Sequence, residues 1–234
     1  MWFGISFGWY GTVLWFPQYF KERNAAAEAD SNAHMPPMAP PTPGARALPL
    51  DARPFADQLA VALANLPGNA ASIVMIDAVG RRTTLAASLA AGAACALAFA
   101  LVPRSAGGAA LAAACAFNGA SVGAWNALDC YSAEVMPTAV RTTGLGLMSA
   151  AGRFGAICAQ FVNARLLRLS LAAPLLPGAA VMLLSAALVM WKLPQETRGK
   201  PLSDDVGGGA SADDAPAAEH DGMELLPRRH IAEA

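Results

Sequence analysis

The sequence predicts an all-α transmembrane protein built as a six-helix bundle. Its 234 residues are 55% hydrophobic and only 14% charged, whereas a soluble domain carries about 25% charge. The shortfall is concentrated in long apolar stretches, and about 20 such residues cross a bilayer. Six stretches qualify, at 2–20, 56–76, 83–103, 107–131, 139–164 and 171–192. Three polar clusters punctuate them: Asp77-Ala78-Val79-Gly80-Arg81-Arg82, Glu134-Val135-Met136-Pro137-Thr138-Ala139-Val140-Arg141 and Pro194-Gln195-Glu196-Thr197-Arg198-Gly199. Two spans separate consecutive clusters, so the chain crosses and returns, and all three clusters face one side of the membrane.

The first span, in a segment 1–20, is rich in aromatic residues. Trp2, Phe3, Trp15, Phe16, Tyr19 and Phe20 near its ends suit an interfacial belt. Trp9 and Tyr10 lie in its middle beside Gly8 and Gly11, where they either pack or line a cavity. Met1 leads at once into Trp2-Phe3, already inside a span. The N-terminus has no signal-peptide shape, and the start suggests a piece of a longer chain or an incomplete gene.

Residues 21–54 contain Lys21-Glu22-Arg23 and the run Met35-Pro36-Pro37-Met38-Ala39-Pro40-Pro41, and read as a flexible proline-rich loop. His34, Met35 and Met38 are too few ligands for copper, so no metal is expected. No Asn-x-Ser/Thr sequon occurs in the chain.

Residues 55–193 hold the remaining five spans. In the second span Pro67 removes a helical hydrogen bond and predicts a kink. Asn65, Asn69 and Ser72 recur at i, i+4 and i+7 on one polar face, as helix–helix glue or as a cavity wall. The third span and the sixth carry no charge within them apart from Lys192 at the end, and are expected on the outside of the bundle, where small residues let helices approach. Cys95, Cys115, Cys130 and Cys158 all fall inside spans and read as packing residues. Residues 194–234 read as a solvated, disordered tail, in which Asp221 to Leu226 fits an acidic dileucine sorting signal.

Positive charge does not orient the chain. The cluster side has Arg81, Arg82, Arg141, Lys192, Arg198 and Lys200; the other has Lys21, Arg23, Arg46, Arg53, Arg104, Arg165 and Arg168. The two sides are near parity, where the positive-inside rule requires an excess.

Two charges lie within the membrane. Asp129 is about 7–8 Å deeper than Glu134 at the helical rise, and Arg153 lies about 18 Å in from Arg141, near the middle of a ~30 Å core. Each costs several kcal/mol to bury without a partner or water, so each is functional by default. Their depths differ by about 10 Å, which argues against a direct salt bridge. Asn118, Trp125 and Asp129 share one face of the fourth span. Gly146, Ser149, Arg153 and Gln160 share one face of the fifth. A buried network that fixes packing is the alternative to a binding surface.

The order and spacing of these motifs resemble the C-terminal half of a major facilitator superfamily transporter. More closely, the chain looks like the synaptic vesicle glycoprotein and synaptic vesicle 2-related branch, kin to sugar and organic-ion porters. The resemblance covers about residues 1–202. It is carried by Trp9-Tyr10-Gly11 with Trp15-Phe16-Pro17, and by Pro67-Gly68-Asn69 leading into the first cluster. Trp125-Asn126-Ala127-Leu128-Asp129, Arg153 and the two later clusters complete it. The resemblance implies that the clusters and the 194–234 tail are cytoplasmic and that the 21–54 loop is not. It implies a cytoplasmic gate of Asp77, Arg81, Arg82, Glu134, Arg141, Glu196 and Arg198, whose weak ion pairs break in each cycle. It also implies a substrate cavity near the midplane, with Tyr10, Asn69, Trp125, Asn126, Asp129, Arg153 and Gln160 as its residues.

The family has twelve spans, and this chain begins at the seventh. The expected function is therefore the C-terminal half of a secondary transporter for a small organic solute, an organic ion or sugar-like, moved by alternating access. The alternative is a non-transporting binding or regulatory membrane protein, or an inactive fragment. Expected partners are the lipid bilayer, the solute (with a proton as possible coupling ion), and an N-terminal half or a second copy. A multi-pass location in the plasma membrane or a vesicle membrane follows. A net charge of −1 offers no footprint for nucleic acid, and none is expected as a partner. No cofactor is expected, and no nucleophile–base pair, metal cluster or phosphate loop points to an enzyme.

Overall fold

The computed structural model describes residues 1–22, 25, 53–103, 106–170 and 172–193. Most of the 21–54 loop lies outside the described residues, as does the 194–234 tail. The described residues form α1 (Trp2–Val13), α2 (Arg53–Leu63), α3 (Asn65–Val79), α4 (Arg81–Leu101), α5 (Gly107–Val135), α6 (Arg141–Leu166) and α7 (Leu175–Lys192). No strand occurs among them.

Proline sets two of the helix breaks. Pro67 has no N–H for the carbonyl of Leu63, and the second span divides into α2 and α3 at Ala64. Pro17 likewise leaves the Val13 carbonyl without its usual donor. The first span is helical in α1, turns at 14–15, and is helical again over 16–22. At that turn the Trp15 N–H donates to the Thr12 carbonyl (3.1 Å). Five helical stretches are long and apolar enough to cross a membrane: Phe55–Val79, Arg81–Leu101, Gly107–Val135, Arg141–Leu166 and Leu175–Lys192. The broken first segment is the sixth expected span.

The principal contacts run in one order. α2 and α3 pack on α5, α5 on α4, α4 on α7, α7 on α1, and α1 on α6. Exchanging the first three spans with the last three leaves that order unchanged when read backwards. Second-on-fourth becomes fifth-on-first, and third-on-sixth maps onto itself. The bundle is thus two three-helix repeats of opposite direction, the arrangement that transporters build around a central site.

Small residues set the closeness of these contacts, as expected where lipid removes the hydrophobic drive between helices. A Cβ on Gly68 would stand 2.5 Å from the Gly119 carbonyl oxygen. A Cβ on Gly155 would stand 2.5 Å from that of Phe3. Gly92 of α4 meets both Met182 of α7 and Ser121 of α5. The third span is therefore at the centre of this bundle rather than outside it. Half of its apolar window is buried, against 17% for the second and fifth spans. Its alanines and Gly92 present little bulk on any side, so two neighbours close on it at once. Cys130 is exposed and the other three cysteines are half-buried, so packing does not explain Cys130.

At the other end of the first segment, Phe16, Tyr19 and Phe20 pack against Phe99, with ring centroids 5.0, 4.5 and 6.2 Å away. These aromatics are core rather than belt.

Candidate substrate face and cluster end

Trp125 of α5 is the centre of an aromatic group. The rings of Trp2, Trp9 and Tyr10 stand edge-on to it at 6.0, 6.1 and 6.4 Å, and Trp9 meets Tyr10 at 4.7 Å. These rings face α5 because the other sides of α1 are committed. Gly4 and Gly8 pack against Ser185 and Met182 of α7, and Gly11 against Ala159 of α6. Edge-to-face pairs contribute about 0.5–1.5 kcal/mol each beyond burial. Further along, the Trp2 indole N–H donates to Ser132 Oγ (3.0 Å).

One position beyond Trp125, Asn126 turns to α3. Its amide donates to Asn69 Oδ1 (2.8 Å) and to Ser72 Oγ (2.7 Å). Ser72 donates to the Asn69 carbonyl (2.8 Å). Both amide hydrogens of Asn126 are thus spent on packing. Gln160 of α6 donates to the Tyr10 carbonyl (3.3 Å) and the buried Asn163 to that of Gly11 (2.5 Å). Asn118 donates to the Val61 carbonyl (2.7 Å), in the last turn of α2, where carbonyls lack intrahelical partners.

Asp129 and Arg153 are both exposed on the faces of α5 and α6. Those two helices barely touch, because α1 lies between them. Among the described residues the ion pairs are Asp77–Arg81 and Arg81–Glu134. Asp129 and Arg153 form no ion pair with each other.

At the cluster end, Arg81 Nε lies 3.0 Å from Glu134 Oε1, and its Nη1 lies 3.7 Å from Asp77 and 3.4 Å from the Ile76 carbonyl. Gly80, with φ 100° and ψ 163°, makes the one-residue turn that presents Arg81. Only glycine adopts that conformation without strain. The Arg82 guanidinium donates to the Met190 carbonyl near the end of α7. Arg141 stays on its own loop, donating to the Met136 carbonyl (3.2 Å) and to Thr138 Oγ1 (3.4 Å). Three helix pairs thus meet at one end. Asp77, Arg81 and Glu134 are in direct contact there; Arg82 also reaches the Met190 carbonyl, and Arg141 the Met136 carbonyl and Thr138. Glu196 and Arg198 lie outside the described residues.

The family whose description is "Sugar (and other) transporter" matches residues 50–204. The chain belongs to that family. Rat synaptic vesicle glycoprotein 2A is 36% identical over 140 residues, covering 60% of this chain and 18% of the relative. Human synaptic vesicle glycoprotein 2B is 34% identical over 140 residues, 60% and 20% respectively. The macaque form of 2A is 34% identical over the same length. The chain therefore spans about a fifth of the length of the relatives it matches. It is a multi-pass membrane protein of the major facilitator superfamily, similar over those 140 residues to the synaptic vesicle glycoproteins.

Several side chains of this sugar-transporter-family bundle escaped the sequence reading of the site. Trp2 meets Trp125, Ser132 holds Trp2 and Asn163 holds the Gly11 carbonyl; Trp9 and Ser72, left open between packing and a cavity wall, meet Trp125 and Asn126. Ser72 follows Asn69 by three residues, and Asn163 follows Gln160 by three. No group of three or more metal-ligating side chains occurs among the described residues.

A cavity of about 320 Å³ opens at the cluster end. It lies between the start of α1, the last turns of α5, Met148 and Ala151 of α6, and Leu193. None of the seven expected substrate-cavity residues lines it.

Proposed function

We propose that this chain forms one half of a secondary transporter that moves a small organic solute by alternating access. The observation that carries the reading is the placement of Asp129 and Arg153. Each is exposed on an apolar span at membrane depth, and not in a salt bridge with the other. Charged groups so placed in lipid face water or a partner. In this reading Arg153 contacts an anionic group of the solute. Asp129 contacts the solute or a coupling proton. Asn69 and Asn126 offer one donor and one acceptor to its hydroxyls or amides, and Tyr10, Trp125 and Gln160 shape the wall. The second and fifth spans, largely uncovered here, face an N-terminal half or a second copy across the cavity.

The cluster end acts in this reading as the cytoplasmic gate. Arg81–Glu134 stays intact within the half, and the rim of Asp77, Arg82, Arg141, Glu196 and Arg198 meets the opposing half when the mouth closes. Partly exposed pairs contribute little each, so the mouth can open in every cycle.

The test is uptake of radiolabelled organic ions and sugars into proteoliposomes holding the full-length protein that contains this chain. Arg153→Ala and Asp129→Asn are each expected to lower uptake at least about tenfold, the loss of about 1.4 kcal/mol of transition-state stabilisation. Uptake unchanged by both substitutions would sink the assignment. A non-transporting binding protein is the second reading, supported by the little-buried second and fifth spans. It predicts solute binding without uptake.

A further inference from the structure

We propose that the cavity at the cluster end is a binding site for one acyl chain of a membrane phospholipid, distinct from the solute site. Its body is apolar, made by Trp2, Phe3, Leu128, Val135, Met148 and Ala151 among others. The hydroxyls in its wall are those of Ser132, which already accepts from the Trp2 indole, and of the buried Tyr131; the other lining side chains are apolar. That composition rejects a sugar or an ion, which would leave polar groups unpaired.

Depth and rim select the occupant. Leu128 lies about 10 Å from the end of α5 and Ala151 about 15 Å from the start of α6, at 1.5 Å per residue. Both fall within the acyl half-thickness of a ~30 Å core. Phe3 and Val135, two of the lining residues, are also exposed at 39% and 44%. The cavity thus opens sideways onto exposed surface, and its volume is at the small end of ligand pockets. At the rim, Met136 both lines the cavity and accepts from Arg141 Nε at 3.2 Å. Arg141 binds only neutral acceptors among the described residues. Its charge therefore stands where the phosphate of a lipid lies when the acyl chain is inserted.

The experiment reconstitutes the full-length protein into phosphatidylcholine–phosphatidylserine vesicles doped with a diazirine-acyl phosphatidylcholine. After irradiation, adducts are mapped by peptide mass spectrometry. Adducts are expected on residues 128–136 and 148–151 in excess over Leu183 and Leu184, exposed apolar positions of α7 that report ordinary annular lipid. Ala151→Trp fills the cavity and is expected to reduce that excess about tenfold, equivalent to about 1.4 kcal/mol of affinity. Ala151→Leu, a smaller filler, covers the case in which the tryptophan variant does not fold, and should give an intermediate loss. Labelling at the cavity no greater than at Leu183 and Leu184 overturns the proposal. So does an excess that a folded filler variant leaves unchanged. Solute uptake is read in parallel on the same vesicles, so failure of the transport reading and failure of the lipid site are scored separately.

Discussion

Arg81 and Glu134 are 53 positions apart in sequence and 3.0 Å apart in space, Nε to Oε1. They join the start of α4 to the end of α5. Glu134 Oε2 is buried and without a hydrogen bond among the described residues, so its tie to the bundle is through Oε1. Their side chains are 19% and 26% exposed, which places the pair between a solvated surface bridge and a buried one. A charge-assisted hydrogen bond of this kind contributes about 1.5–3 kcal/mol. A double-mutant cycle of Arg81→Ala and Glu134→Ala, read by thermal unfolding in detergent, should return a coupling of about 1–2 kcal/mol. Asp77, at 3.7 Å and 75% exposed, should couple to Arg81 by less than about 0.5 kcal/mol. A larger Asp77 term than Glu134 term would contradict the geometry.

Trp125 is expected to be the most sensitive aromatic in the bundle, because three rings of α1 converge on it. Trp125→Ala should destabilise by about 3–5 kcal/mol and Trp125→Phe by far less. If tryptophan also shapes the solute site, Trp125→Phe will weaken solute binding while leaving the unfolding temperature close to wild type. Equal stability of wild type and Trp125→Ala would remove the aromatic group from the packing account.

Close approach at glycine can be tested against an internal control. Gly68→Ala puts a methyl group 2.5 Å from the Gly119 carbonyl oxygen, a backbone atom that cannot rotate away. A loss of about 1–3 kcal/mol is expected as α3 and α5 are pushed apart. Gly108→Ala meets nothing within 4 Å, and should be neutral or slightly stabilising because alanine favours helix. Similar unfolding temperatures for the two variants would show that the helices are not as close as described.

The Asn126 amide bridges two acceptors on α3. Asn126→Ala leaves both without that donor and should cost about 1–2 kcal/mol. Asn126→Asp keeps the shape but replaces two donors with acceptor oxygens facing acceptors. It should destabilise at least as much at neutral pH. If Asn126→Asp is instead the milder change, the amide is not oriented toward Asn69 and Ser72.

Much of this architecture was legible in the chain itself. Apolar stretches of bilayer length mark the spans, since lipid forces every backbone group to be satisfied within a helix. The break in the second span could be placed from Pro67 because a missing N–H acts locally; the turn before Pro17 was not expected. The order and spacing of the polar clusters carried the family resemblance. Site residues were less legible. Asn69 was found from helical periodicity and Asn126 from the family resemblance, but that they hydrogen-bond each other across two helices was not visible.

What only the tertiary structure decided is which face meets which. Alanine and glycine specify that a helix can be approached, not by what, so the third span was expected at the edge and lies at the centre. The same ambiguity hid the partner of Trp2 and Trp9, Trp125, more than a hundred residues away. Composition and local sterics set where this chain crosses the membrane. The inter-helix fit of glycine notches, edge-on rings and one arginine–glutamate pair arises between residues far apart in sequence, and it sets the order in which the helices stand.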